Sequence, residues 1–179
     1  MRNIRDIVME LLPASTDLES FSPQTWIEHL ALEIYKPAYG RLREQEILLG
    51  LPAIIQDIIV LFDLDTELAI NGILGYLGNS SGRYLNETIE VLRKIGALED
   101  SMILKQIRKV LFSEIRGLED MDDEAAEQIQ RLADGLYLYS ADRDVFRDLV
   151  EYLEMNRHTL LMDLNAWIGE EPKDSGAVE

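Results

Sequence analysis

Apolar residues recur at three- and four-residue spacings along almost the whole chain, the period of an amphipathic helix rather than the alternation of a strand. Ile4, Ile7, Val8 and Leu11 mark a first short helix, stopped by Pro13. A polar linker, DLESFSP, follows, and Ser22-Pro23 reads as an N-cap with proline at the first helical position. Trp26, Ile27, Leu30 and Ile34 predict the next helix, which Pro37 kinks or ends. A third is predicted from about Arg41 to Leu49, before Gly50-Leu51-Pro52 punctuates the chain. Pro52 opens PAIIQDIIVLF, so apolar on every side that it belongs at the centre of the core. Leu85, Ile89, Leu92 and Ile95 form another stripe, with Gly96 as its C-terminal cap. Ile103, Ile107 and Leu111 follow, with Lys105, Arg108 and Lys109 on the outer side. Gly117 breaks the pattern. Ala125, Ile129, Leu132 and Leu136 resume it behind the acidic run EDMDDE, whose charges suit the start of a helix dipole. Phe146, Leu149, Val150 and Leu153 predict the next helix, and Leu160 to Trp167 a short last one. The expectation is an all-α fold: a single compact multi-helix domain of roughly eight to ten helices over residues 1–168, with 169–179 as a flexible tail.

Charge changes the picture. The chain of 179 residues carries a formal −17, distributed unevenly. Residues 1–62 hold 5 basic and 9 acidic side chains, residues 63–112 hold 6 and 7, and residues 113–179 hold 6 and 18. The field of the C-terminal third repels nucleic acid and acidic membranes and attracts basic proteins. Solubility alone explains such a charge equally well.

Candidate enzyme chemistry is sparse. The absence of cysteine excludes disulfides, thiolate metal sites and thiol nucleophiles, and suits a reducing cytoplasm. The N-terminal MRNIRDIVMELLP reads as an amphipathic helix and not a signal peptide, and no run has the roughly 18 apolar residues that a membrane span needs. The two histidines, His29 and His158, stand in no metal spacing, and neither GxSxG nor a P-loop occurs. Asp63, Asp65 and Glu67 resemble the start of a calcium loop, but its glycine and closing glutamate are missing. Helix capping by Asp63 or Asp65 is the simpler reading. No cofactor, metal ion or catalytic residue is expected.

One stretch resists the helical reading. In NGILGYLGNSSG, glycines stand at 72, 75 and 78, each costing about 1 kcal/mol relative to alanine inside a helix. We expect a turn at Asn71-Gly72, both in left-handed backbone, then a short helix whose Gly75 and Gly78 admit a neighbouring helix closely. Glu67 is placed to bind exposed amides there. From Glu67 to Ala97 the sequence resembles the signature of a bacterial family of acidic, all-helical DNA-mimic proteins, roughly E-V-x-N-G-G-F-x-Q-[FY]-[FY]-x-N-[SP]-x-G followed by a helix ending I-G-A. Glu67, Gly72, Tyr76, Asn79, Ser80, Gly82 and Ile95-Gly96-Ala97 carry the likeness. The departures from it include Asn71 in place of a glycine, Ile73 in place of a phenylalanine, and Gly75 in place of the glutamine, one of the few polar residues of the motif.

The resemblance implies a binding protein rather than an enzyme, whose partner is a basic protein such as a DNA-binding protein. It implies no direct contact with nucleic acid or membrane, and leaves a homodimer open. Mimicry requires carboxylates spaced like phosphates on a rigid support, and helical residues four apart are about 6 Å apart along the axis. Asp123, Glu127 and Asp134 form one such row, and Asp144, Asp148 and Glu151 another, both opposite the apolar stripes. Arg131, Arg143 and Arg147 lie beside them, and an ordinary solvated helix face presents the same pattern. The alternatives are an immunity-type or regulatory protein that binds a basic partner such as a toxin, and, third, an enzyme with Glu67 and Asn79 as its polar residues.

Overall fold

The structure is a computed structural model and describes residues 3–12, 22–114, 121–140 and 143–169. The chain is all-α, with nine α-helices among the described residues: α1 (Ile4–Leu11), α2 (Pro23–Glu33), α3 (Gln45–Leu48), α4 (Ala53–Gly78), α5 (Leu85–Lys94), α6 (Leu98–Glu114), α7 (Asp123–Ala133), α8 (Val145–Met155) and α9 (Arg157–Gly169). Two 3-10 turns among the described residues, Pro37–Arg43 and Ser80–Tyr84, lie between these helices. The only sheet among the described residues is a two-residue antiparallel pair, Tyr139 with Asp144 and Ser140 with Arg143, too short to show alternation. Residues 17–21 of the expected linker, the Gly117 break and residues 170–179 of the expected tail lie outside the described residues.

Helix ends follow the local chemistry. The Ser22 hydroxyl accepts from the Thr25 amide, and Pro23 stands at the first helical position of α2. Gly96 closes α5 at φ 82°, with the Ala97 amide reaching back to the Leu92 carbonyl at 2.8 Å. The helix expected over 41–49 is not continuous. A 3-10 turn and the single-turn α3 replace it, with Glu44 extended between them. The cause is tertiary: the Arg43 carbonyl accepts the Tyr84 hydroxyl at 2.7 Å, and the Arg43 guanidinium is drawn to distant partners.

One hydrophobic cluster runs from Ile7 in α1 to Leu164 in α9, with the first limb of α4 at its centre. Ile55, Ile58, Ile59 and Leu61 are all fully enclosed. Asp57 and Asp63 are buried within this limb, and Asp63 and Asp65 both lie inside α4 rather than capping a helix, contrary to expectation. Asp57 is buried and accepts from Lys94 Nζ at 2.7 and 2.8 Å. Asp63 is buried and accepts from Arg43 Nε at 2.9 and 3.0 Å. The Arg43 guanidinium lies 4.4 Å over the Tyr35 ring, and the Tyr35 hydroxyl reaches Thr66 and the Phe62 carbonyl. Desolvation raises both carboxyl groups above the usual aspartate range, and the neighbouring cations oppose it. The Tyr35 side chain is exposed overall, but desolvation around its hydroxyl pushes that group up to about 12.

Candidate partner-binding site

The motif sits at a break in α4. Gly72 leaves the helix at φ 66°, a conformation that suits glycine, while Asn71 keeps ordinary backbone. The expected left-handed turn therefore rests on one residue. Glu67 does not bind backbone amides. Its Oε2 accepts from two side chains, Asn71 Nδ2 at 2.8 Å and Asn79 Nδ2 at 2.7 Å, and so ties the two sides of the break together. Tyr76 is fully buried, its hydroxyl 2.8 Å from Thr88 Oγ1, and burial raises it well above the ordinary tyrosine range. Ser80 is exposed at the start of the 3-10 turn.

The glycines have different reasons from those expected. No neighbouring helix presses on them. Nothing lies within 4 Å of a Cβ placed at Gly78, which is exposed. A Cβ at Gly75 would lie 2.1 Å from the Asn71 Cβ, because the break folds the second limb back onto the first. A Cβ at Gly82 would lie 2.4 Å from the Leu77 carbonyl oxygen and 2.6 Å from that of Tyr76. Close approach thus explains Gly75 and Gly82. Two of the departures from the expected pattern are also linked. A side chain at 71 excludes one at 75, and the pattern of glycine at 71 with glutamine at 75 satisfies the same constraint in reverse.

The acidic residues fall into two groups. α7 packs against α6 and α4 and exposes Asp123 and Glu127, with Asp134 exposed at its C-cap. Asp122 caps this helix, accepting from the Ala125 amide at 2.8 Å. Arg131 lies 3.9 Å from Glu127, both largely in solvent, so the pair dilutes the field only weakly. α8 packs against α2 and α9. Here Asp144 is half-buried and spent on the cap, accepting from the Phe146 and Arg147 amides, and Asp148 is half-buried, while Glu151 is exposed. The expected solvent-facing row on α8 is thereby reduced to its last member.

Between the α4 break and α7 lies a groove of about 660 Å³, where Asn71 and Gly72 of the motif meet Glu127 and Asp134 of the acidic row. Nothing in the linear pattern brought these two features together. Sequence reasoning also missed Arg43 and Lys94 as partners of buried carboxylates. The signal available was an aspartate inside an apolar run, which demands a partner. No group of three or more metal-ligating side chains occurs among the described residues, and no helix among them is long and apolar enough to cross a membrane.

An all-helical fold, an exposed acidic helix and a broken helix closed by Glu67 and Asn79 define a class of acidic helical proteins. The family model described as DMP19-like protein matches residues 50–156, more than half of the chain. The chain belongs to the DMP19-like family, the DNA-mimic family that its motif resembles. The matched segment runs from α4 to α8 and contains every motif and acidic-row residue named above. No curated protein and no solved structure matches the chain significantly.

Proposed function

We propose that this chain is an acidic protein-binding module that acts as a DNA mimic. It occupies the basic DNA-binding surface of a transcription factor or another nucleic-acid-binding protein and catalyses no reaction. The observation that carries the reading is the row Asp123, Glu127 and Asp134, exposed on a helix held against the core by Ala125 and Ile129, beside the motif. Membership of the DMP19-like family supports it. Asp144 and Asp148 contribute less, since Asp144 serves its own helix. The reading places the protein in the cytoplasm, where such partners work.

Competition tests the proposal. A basic DNA-binding protein captured on this chain from its native host should be displaced by DNA, and by moderate salt, because exposed charges are screened over about 8–10 Å. Replacing Asp123, Glu127 and Asp134 with their amides should weaken binding and leave helicity unchanged. Neutralising Glu28, Glu44 and Glu46 should do much less. A ternary complex of partner, DNA and this chain, formed without displacement, rules mimicry out. Capture of a basic toxin that binds no DNA favours the immunity-type alternative.

A further inference from the structure

The groove between the α4 break and α7 has a property that an array of phosphates lacks. Its rim is charged, with Glu127 and Asp134 set against Arg131. Its floor is apolar: Leu68 and Leu74 come from the two limbs of α4, and Ala133 and Leu136 from the end of α7 and the residues after it. All four pack on the core from one side and remain only partly covered. Gly72 lines the same opening, with nothing within 4 Å of the place its Cβ would take. A concave site with an apolar floor and a few charged groups at its edge is the common form of a pocket that anchors a side chain.

We propose that this groove takes an aliphatic side chain carried between lysine or arginine residues of the partner. The rim selects positive charge and the floor selects the aliphatic anchor, so the chain distinguishes one basic protein from others that bind DNA equally well. The inference rests on the basic-partner reading above and adds to it a part of the affinity that salt does not screen.

Two fluorescein-labelled peptides of equal length and charge test it, one of lysine and leucine, the other of lysine and alanine. Anisotropy titrations at physiological salt should show the leucine peptide binding at least about tenfold tighter, the scale of burying one leucine side chain. Leu74→Asn and Leu136→Gln make the floor polar. Each variant that retains its helical spectrum should lose this preference and keep its affinity for the alanine peptide. In the wild-type chain, photo-leucine versions of the peptide should cross-link to residues 68–74 or 130–136. Equal binding of the two peptides overturns the groove and leaves the basic-partner reading standing. Cross-links confined to other segments overturn it as well. If neither peptide binds even at low salt, both readings fall.

Discussion

Positions 71 and 75 compete for one space, and a double-mutant cycle measures the competition. The Cβ of any residue at 75 would meet the Asn71 Cβ at 2.1 Å and its Cγ at 3.3 Å. A Cβ is fixed to its backbone and no rotamer moves it away, so Gly75→Gln forces the two limbs of α4 apart. Overpacking of this kind costs about 1–3 kcal/mol. The forced shift also strains the Glu67 bonds to Asn71 and Asn79, while the gain in helix propensity returns at most about 1 kcal/mol. Asn71→Gly on its own loses one exposed hydrogen bond and some propensity, together about 1 kcal/mol. In the double variant the overlap is gone. It should therefore be more stable than the sum of the single effects by about 1–3 kcal/mol. Urea unfolding of the four proteins, followed by circular dichroism, gives each free energy. A coupling of 1 kcal/mol corresponds to about 2–4 °C in the melting temperature of a chain of this size. Single effects that add to within about 0.5 kcal/mol refute the reasoning, since residues that do not touch behave in that way.

Gly82→Ala drives a methyl group into two backbone carbonyls and should lower stability by 1–3 kcal/mol or about that, whereas Gly78→Ala meets open space and should leave it unchanged or slightly raised; thermal melts of the two variants decide. Asp63→Asn leaves the Arg43 charge buried beside a neutral group and should cost about 3–5 kcal/mol, while Asp63→Leu combined with Arg43→Met should cost much less, as denaturant unfolding will show. Folding moves the Tyr35 hydroxyl pKa from 10.0 to about 12, so below pH 10 its contribution is fully present, and it is lost as the pH rises from 10 through 12. The stability gap between wild type and Tyr35→Phe should accordingly narrow from pH 9 to pH 12, measured by unfolding across that range, and a gap that widens contradicts the assignment.

The helices were legible because their signals are local. Apolar periodicity, Ser22-Pro23 at a start and Gly96 at an end report on residues three or four apart, and the structure keeps them. The misread places depend on contacts across long stretches of sequence. The helix expected at 41–49 breaks because Arg43 serves Asp63, twenty residues on, and Tyr84, forty-one residues on. Asp57 announces a buried carboxylate, yet nothing near it in sequence points to Lys94. Gly75 was expected to admit a neighbouring helix. Its actual neighbour is Asn71 in the same helix, brought close only by the angle at Gly72, and periodicity carries no information about that angle. The groove is of the same kind, since it exists only where α4 and α7 pack.

The break at Gly72 also divides α4 by its resistance to opening. The limb from Ile54 to Leu64 is enclosed almost continuously and is pinned by Lys94 on one side and Arg43 on the other. Residues 65–72 are at least partly exposed, and beyond them only Ile73, Tyr76 and Leu77 are buried. Amide hydrogens of the first limb should therefore exchange with solvent only when the whole molecule unfolds, while those of 73–78 exchange through a smaller opening in which the Glu67–Asn79 bond breaks and the short limb swings free. That smaller opening moves Leu74, half of the groove floor supplied by α4, without disturbing the core. A partner bound in the groove would close it, and protection of residues 73–78 from exchange would then report occupancy at a distance from any charge.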